Sequence, residues 1–342
     1  MPAPPPWARF VLVLSGGNAL GAYQGGAYGA LQAAGWEPDW IVGASAGAIN
    51  GALICGSPPS QRVEGLREWW RPDPGTRPYA IAAMEEMRRT AAAVASLTMG
   101  QPGQFAPRLS FAGAWASSGA DGAPALFDST PMRKTLARRI DFDRLNRGLP
   151  RFTAMAVDVE SGEDRSFDTS ATVIGPDHLR ASSALLPAFP PVHIDGRWYA
   201  DAGFSANLPL DPVLGEDEQA PLLCIAVDLL PLRAPVPRTL GDAAVRAQDL
   251  MFAIQSRRTI AAWQAIFDQR VATGSARSVT LVHLAYADPV LEVSGKAFDF
   301  SPASSGARWR AGAADMAHAI EHIRSVTDPS PGLKVITPLA RD

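Results

Sequence analysis

The sequence predicts an α/β protein with a doubly wound, mainly parallel central sheet. The chain opens with two successive units in which a short apolar run is followed by a glycine-rich turn and a helical segment. Successive units of this kind form parallel sheets. Later apolar runs at 152–159, 222–228 and 279–284 have the length of further buried strands. In such a sheet, the functional site is expected at the carboxyl ends of the strands.

The first unit predicts a strand over residues 10–14 and a helix over 22–34. The second predicts a short strand over 40–42 and a helix that ends near Cys55, after which another helix runs to Trp70. Further elements are expected, in order, as a helix from Thr130 to Arg139, strands at 152–159 and 164–169 paired across a turn at Ser161 and Gly162, a strand at 222–228, a helix at 240–267, a strand at 279–284 and a helix at 304–326.

The composition excludes several classes of function. Of 342 residues, 47% are hydrophobic and 19% are charged, as in a globular enzyme rather than a disordered chain. The formal net charge is −3, without a block of lysines or arginines, so no nucleic-acid partner is expected. Cys55 and Cys224 lie in separate apolar runs and are predicted to be core residues rather than a disulfide. No stretch reaches the length of a membrane span, which predicts a cytoplasmic protein and leaves peripheral membrane contact open.

Ser45 is the strongest candidate for a nucleophile. It is the centre of a Gly-x-Ser-x-Gly pattern, residues 43–47, that directly follows an apolar strand and directly precedes a small-residue helix. That context is typical of a nucleophile elbow. Gly43 and Gly47 leave room for a serine with strained backbone dihedrals. A turn rich in glycine and alanine but without chemistry is the alternative, so the rest of the chain has to decide.

The base that would activate this serine is better predicted as an aspartate than as a histidine. The histidines are His178, His193, His283, His318 and His322, of which only the last three follow the serine late enough for the usual Ser–acid–His order. None lies in a turn beside a glycine. Asp201, by contrast, ends a predicted hairpin and is followed by Ala202 and Gly203. Burial in an apolar pocket would raise the pKa of its carboxyl group and make it a better base.

The glycine-rich turn after the first strand is the candidate oxyanion hole. Successive amides in such a turn form a concave binding site for an anion. The residues concerned are Gly16, Gly17, Asn18 and Ala19. Nucleotide phosphate binding is the competing interpretation, but glycines at 16, 17 and 21 do not match Gly-x-Gly-x-x-Gly, and no Gly-Lys-Ser/Thr follows.

Together these motifs resemble the three signatures of patatin-like phospholipases, in the same order. The stretch from Arg180 to Pro191 resembles the segment that precedes the family's aspartate, and residues 207–209 match the Asn-x-Pro that follows it. Residues 298–301 and 309–312 are similar to a bacterial branch with an extra C-terminal region. The resemblance covers residues 10–215 most closely.

The resemblance implies a three-layer α/β/α sandwich and a lipid acyl hydrolase, of phospholipase A, lysophospholipase or carboxylesterase type, that uses a Ser-Asp dyad without metal or other cofactor. Carried onto this chain, Ser45 is the nucleophile, Asp201 the general base and Gly203 a support of the dyad. Two positions depart from the family pattern, because Asn18 and Ala202 stand where the family usually has glycine. Asparagine tolerates left-handed backbone best among the other residues.

The same resemblance divides the chain into a catalytic core at 8–215, a C-terminal part at 216–327 that completes the sheet and adds helices, and an irregular tail at 328–342. Within the core, residues 72–126 are rich in small residues and contain several methionines. This insertion is either a lid or acyl-chain surface, since methionine-rich surfaces adapt to varied ligands, or a surface excursion without function.

Two other functions stay open at this point. One is acyl transfer to an alcohol or thiol by the same dyad, and the other is a non-catalytic lipid-binding module that has kept the scaffold. A lipid or another acyl ester is the expected substrate in the catalytic cases. The oligomeric state, the lipid head group and the chain length do not follow from the sequence.

Overall fold

The computed structural model describes residues 7–75, 82–108, 125–286, 292–293, 295–324 and 330–338. The strands in this part of the chain are β1 (Arg9–Leu14), β2 (Trp40–Ala44), β3 (Ala106–Pro107), β4 (Phe127–Asp128), β5 (Arg151–Asp158), β6 (Asp164–Asp168), β7 (Val192–Ile194), β8 (Arg197–Asp201), β9 (Leu222–Asp228), β10 (Ser278–Ala285) and β11 (Gly332–Ile336). The helices are α1 (Ala22–Ala33), α2 (Ala46–Cys55), α3 (Arg62–Trp70), α4 (Ala82–Met99), α5 (Thr130–Arg139), α6 (Phe142–Leu145), α7 (Pro176–Ser182), α8 (Asp211–Leu214), α9 (Leu240–Ala272) and α10 (Pro302–Arg324).

The main sheet has the order β11-β10-β9-β1-β2-β5-β8-β7, and β6 pairs with the opposite edge of β5 from β2 and β8. All pairs from β11 across to β5 are parallel, whereas β6, β7 and β8 join in antiparallel pairs. The predicted, mainly parallel sheet is therefore confirmed. Because β1 lies between β2 and β9, the segments that leave its carboxyl end are close to those that leave the two neighbours.

Both faces of the sheet are covered, as a buried parallel sheet requires. Leu12 and Leu14 of β1 pack into an apolar cluster with α1, α2 and α10. Val11 and Val13, which alternate with them, pack on the opposite face with α8 and with Phe267 of α9. The three-layer α/β/α arrangement is thus confirmed. Cys55 and Cys224 are both buried and free, as predicted.

The expectation of an irregular tail at 328–342 is wrong for residues 332–336. These form β11, which pairs in parallel with β10 at the edge of the sheet, so that Leu333 lies opposite Val279 and is buried. The flanking prolines and glycine obscured a short edge strand whose apolar side chains complete the core. Residues 328–329 and 339–342 lie outside the described residues.

The insertion at 72–126 is described in part, since residues 76–81 and 109–124 lie outside the described residues. Its described part contains α4, on which Met87 and Met99 are exposed, and Phe105, which is buried. Strands β3 and β4 pair in an antiparallel ribbon beside it. Within the described ranges, no helix is both long enough and apolar enough to cross a membrane.

Candidate active site

Ser45 lies in a sharp turn between β2 and α2. Its φ of 54° and ψ of −121° are unusual for a residue with a side chain, so the turn holds backbone strain. A Cβ at Gly47 would lie 2.1 Å from the carbonyl oxygen of Leu14, and one at Gly43 would lie 2.5 Å from that of Gly47. The strand–turn–helix context predicted for Ser45 is confirmed, and both flanking positions require glycine.

The elbow is also fixed by a contact that the sequence analysis did not predict. The Ser45 N–H donates to Oγ of Ser182 at 3.0 Å, and Ser182 is the fully buried last residue of α7. The Ser45 amide is thereby satisfied by the Ser182 hydroxyl, which leaves the Ser45 hydroxyl for other partners.

Asp201 ends β8 and is buried, with 3% of its surface exposed. Burial raises the pKa of its carboxyl group to about 6, while hydrogen bonds with the Gly203 amide and the Ser45 side chain act in the opposite direction. The Gly203 N–H donates to Asp201 Oδ1 at 2.7 Å. Asp201 is therefore held in place, ionised for the most part at neutral pH, and in contact with Ser45.

The register of the sheet explains why residues so distant in sequence meet. Strands β2 and β8 pair with the same edge of β5, because β6 occupies the other edge over residues 153–157. Along that shared edge, Ala44 is paired with Met155 and Asp201 with the next residue, Ala156. The ends of β2 and β8 therefore meet, which brings Ser45 next to Asp201.

The glycine loop, residues 15–21, packs directly against the elbow. A Cβ at Gly16 would lie 3.0 Å from Cβ of Ser45 and 2.5 Å from Oδ1 of Asn207. The Gly16 N–H donates to the carbonyl oxygen of Asn207 at 3.0 Å, and Nδ2 of Asn207 donates back to the Gly16 carbonyl at 3.2 Å. The prediction that Gly16 supplies an oxyanion-hole donor is wrong, because its amide is already used to hold the loop.

Gly17 and Asn18 line the same pocket as Ser45 and Asp201. The φ of Asn18 is 51°, the left-handed region that asparagine tolerates, so the loop keeps its shape without a third glycine. Ala19 is fully buried, and its carbonyl accepts a hydrogen bond from Nη1 of Arg308 at 3.1 Å. Of the four residues predicted for the oxyanion hole, Gly17 and Asn18 are the ones that line the pocket.

Arg308 is a part of the site that sequence reasoning missed. It comes from α10, is fully buried, and pairs with Glu292 at 2.8 Å. Its guanidinium also donates to the carbonyl oxygens of Asp299 at 2.8 Å and Lys296 at 3.0 Å. The C-terminal helix thus fastens the glycine loop from behind. No local signal marked this residue, since an arginine in an amphipathic helix ordinarily faces solvent.

The pocket around Ser45 and Asp201 is mostly apolar. Its apolar lining residues are Ala46, Ile49, Trp69, Trp70, Phe105, Met132, Leu185, Phe189, Leu230, Phe252, Ala297 and Phe298. Among the described residues, no histidine lines it. His283 is on β10, and its Nε2 lies 3.4 Å from Oδ2 of Asp228 on the neighbouring strand β9. The arrangement can accommodate an apolar chain beside a hydroxyl group, a carboxylate and two backbone amides.

Ala202 does not crowd the pocket. It is fully buried, and it packs with Val13 and Leu208 in the apolar cluster on the other face of the sheet. The methyl group is directed into the core, so its presence in place of the usual glycine leaves the space between Ser45 and Asp201 unchanged.

A family model described as patatin-like phospholipase matches residues 12–214. The chain belongs to the patatin-like phospholipase family. A second model, described as patatin phospholipase, matches residues 256–332, which include α10 and Arg308. Family membership supports a lipid hydrolase activity. A search of curated proteins found no match for this patatin-like chain.

Among solved structures, VipD from Legionella pneumophila is 14% identical, with a TM-score of 0.44, over 93% of this chain and 67% of that one. The type III effector protein ExoU is 15% identical, with a TM-score of 0.38, over 94% of this chain and 54% of that one. ExoU from Pseudomonas aeruginosa in complex with SpcU is 16% identical, with a TM-score of 0.31, over 74% and 51%. This patatin-like chain therefore spans little more than half of the ExoU chain and about two thirds of VipD, and the family models carry the assignment.

Proposed function

We propose that this protein is a lipid acyl hydrolase in which Ser45 is the nucleophile and Asp201 the general base. The observation that carries the proposal is the contact between a serine hydroxyl on a strained elbow and a buried carboxylate whose pKa is raised to about 6. A carboxylate with that pKa accepts a proton near neutral pH far better than an ordinary aspartate does.

In the proposed reaction, Asp201 takes the proton of the Ser45 hydroxyl as the oxygen attacks the ester carbonyl. The negative charge that develops on the carbonyl oxygen faces the amides of Gly17 and Asn18 and the amino end of α2, which begins at Ala46. As the bond to the leaving alcohol breaks, Asp201 returns its proton to that alcohol. Water then attacks the acyl-enzyme, again deprotonated by Asp201, and the fatty acid is released as Ser45 recovers its proton.

The lining of the pocket supports an acyl chain as the part of the substrate that is bound. Aromatic side chains at Phe105, Phe189, Phe252 and Phe298 surround the space next to Ser45. Among the described residues that line the pocket, none is an arginine or lysine that would pair with a phosphate beside the ester. We therefore infer that the acyl group lies within the pocket and that the head group lies at its mouth.

The test is a panel of phospholipids, lysophospholipids, acylglycerols and p-nitrophenyl esters, with products read by mass spectrometry. The wild-type protein is compared with Ser45→Ala and Asp201→Asn. The proposal predicts release of free fatty acid by the wild type and a loss of at least about a thousandfold in both variants. Undiminished turnover in Ser45→Ala would overturn the proposal.

Addition of acceptor alcohols to the same reactions separates hydrolysis from acyl transfer, because transfer gives a new ester in place of the free acid.

A further inference from the structure

The first three turns of α9 expose an apolar, uncharged stripe. Leu240, Ala244, Ala247 and Met251 follow one another at intervals of four, three and four residues, which places them on one face of the helix. All four are exposed, and Leu240 and Met251 have 89% and 61% of their surface accessible. A helix in a globular protein ordinarily buries such a face, so an exposed apolar stripe indicates a surface that binds a partner.

The stripe lies beside the residues of α9 that line the pocket. Gln248 and Phe252 line the pocket from the same helix. Successive residues of a helix are about 100° apart around its axis, so Met251 and Ala247 lie on the face next to that pocket wall. An apolar surface therefore continues outward from the site of the proposed ester chemistry.

The segment that leads into α9 extends this surface. Leu230 lines the pocket, and beyond it Leu232 and Val236 are exposed, Val236 to 84%. The segment is anchored, because Arg246 of α9 donates hydrogen bonds to the carbonyl oxygens of Pro231 at 3.0 Å and Leu232 at 2.6 Å. Its apolar side chains are thus presented to solvent by a backbone that is fixed to the helix.

The charge of this region is opposite to that of the chain as a whole. Residues 231–246 contain three arginines and one aspartate, a net charge of +2, whereas the whole chain carries −3. Arg233 and Arg238 are exposed and form no ion pair with any residue that the structure describes. The aspartate, Asp242, accepts hydrogen bonds from the amides of Arg238 and Thr239 at the start of α9. Apolar side chains flanked by unpaired arginines complement an anionic lipid surface.

We propose that this surface, defined by Leu232, Arg233, Val236, Arg238, Leu240 and Met251, docks the protein on an anionic lipid bilayer and is here named the docking surface. Docked in this way, the mouth of the pocket faces the bilayer, and an acyl chain passes from lipid to Ser45 along apolar side chains. The proposal rests on the proposed function for its purpose, although bilayer binding itself can be measured without catalysis.

Binding is measured in the Ser45→Ala background, so that no lipid is consumed, by flotation with vesicles of phosphatidylcholine alone or mixed with phosphatidylglycerol. Val236→Glu combined with Leu240→Glu removes the apolar tip, and Arg233→Gln combined with Arg238→Gln removes the charge. The matched control is Leu149→Glu with Val173→Glu, two residues that are each 81% exposed outside the docking surface. Turnover of a soluble p-nitrophenyl ester, measured with Ser45 present, monitors folding and the catalytic residues independently.

The expected result is binding of the parent protein to the mixed vesicles, reduced at least about tenfold by the glutamate pair and unchanged by the control pair. The glutamine pair should reduce binding to mixed vesicles about 25-fold, at about fivefold for each arginine, and should change binding to phosphatidylcholine alone very little. Soluble-ester turnover should stay unchanged in every variant that retains Ser45.

Three results would overturn the docking surface: no vesicle binding by the parent protein, binding that is insensitive to both pairs, or equal losses in the control. A change in sedimentation mass with the glutamate pair, without a change in vesicle binding, would assign the surface to a second copy of the chain instead. If the wild-type protein did not hydrolyse the soluble ester, only the proposed function would be contradicted, because vesicle binding is measured separately.

Discussion

The two walls of the pocket are built in different ways. The elbow, residues 43–47, is formed by neighbours in sequence, and its strained turn follows from two glycines and the start of a helix. The glycine loop, residues 15–21, is held from far away, by Asn207 at a separation of 191 residues and by Arg308 at 289. The first wall therefore depends on local sequence, whereas the second depends on completion of the whole fold.

This difference predicts different responses to substitution. A substitution within the elbow should cause a large loss of turnover, because there is no room for an added atom. A substitution among the residues that support the glycine loop should cause a smaller loss, because it acts through the stability of the fold and the position of the backbone amides. Substitutions in the two walls should therefore differ in the size of their effect on turnover.

Gly47→Ala should have the largest effect. The added methyl would meet the carbonyl of Leu14 at 2.1 Å, so either β1 or the elbow has to shift. A displacement of about 1 Å at the nucleophile costs on the order of a hundredfold in turnover, and we expect at least that loss in kcat on a soluble ester. Gly29→Ala is the matched control, because its methyl would meet nothing closer than 3.9 Å. Equal kcat values in Gly47→Ala and Gly29→Ala would contradict the claim that the elbow has no room for an added atom.

Arg308→Met should destabilise the fold and slow the reaction by a smaller factor. The substitution leaves Glu292 without one of its cations and removes one hydrogen-bond donor from each of three backbone carbonyls. Loss of one partner of a buried ion pair typically costs about 3 kcal/mol in the free energy of unfolding, to be measured by urea denaturation. We expect a fall in kcat of about tenfold with a smaller change in KM, since the amides next to Ala19 lose their support. Arg324→Met, at the exposed end of the same helix, should change neither quantity.

The pH dependence of turnover should reflect the ionisation of Asp201. Its folded-state pKa of about 6 lies above the ordinary value of 3.8. Turnover should therefore rise with pH and reach half of its maximum near pH 6, because only the ionised carboxylate accepts a proton. A profile that is flat from pH 5 to 8 would contradict this role.

The same raised pKa has a consequence for stability. The folded protein holds this proton more tightly than the unfolded chain, so the contribution of Asp201 to stability is lost as pH rises from about 4 to about 6. Asp201→Asn should then be more stable than wild type at pH 8, by up to about 3 kcal/mol, and equally stable below pH 4. Urea denaturation at the two pH values measures the difference.

Ala202→Gly should have the smallest effect. The methyl group packs in the core on the opposite face of the sheet, and its removal does not enlarge the space between Ser45 and Asp201. We expect kcat to change by less than about threefold, with a small loss of stability from the lost packing and the added backbone freedom. A rise in kcat of tenfold or more would show that Ala202 does restrict the dyad.

The extent to which the sequence predicted this molecule follows the same division. The elbow, the position of Asp201 at a strand end and the parallel strand–helix units were predictable because each leaves a pattern among neighbouring residues. The role of Arg308 was not predictable, because the sequence does not show whether an arginine in a helix is buried or exposed. Strand β11 was missed because a five-residue edge strand between prolines has too little periodicity to distinguish it from a tail. Gly16 was assigned to the oxyanion hole because a glycine motif does not show which amides are already bonded within the fold.

The pairing of Ser45 with Asp201 is tested most directly by labelling the protein with a fluorophosphonate and mapping the modified peptide by mass spectrometry. We predict a single adduct on Ser45, formed at a rate that rises with pH through about 6 and that drops sharply in Asp201→Asn. An adduct on a different residue, or full labelling of Ser45 when residue 201 is asparagine, would contradict the claim that these two side chains act together.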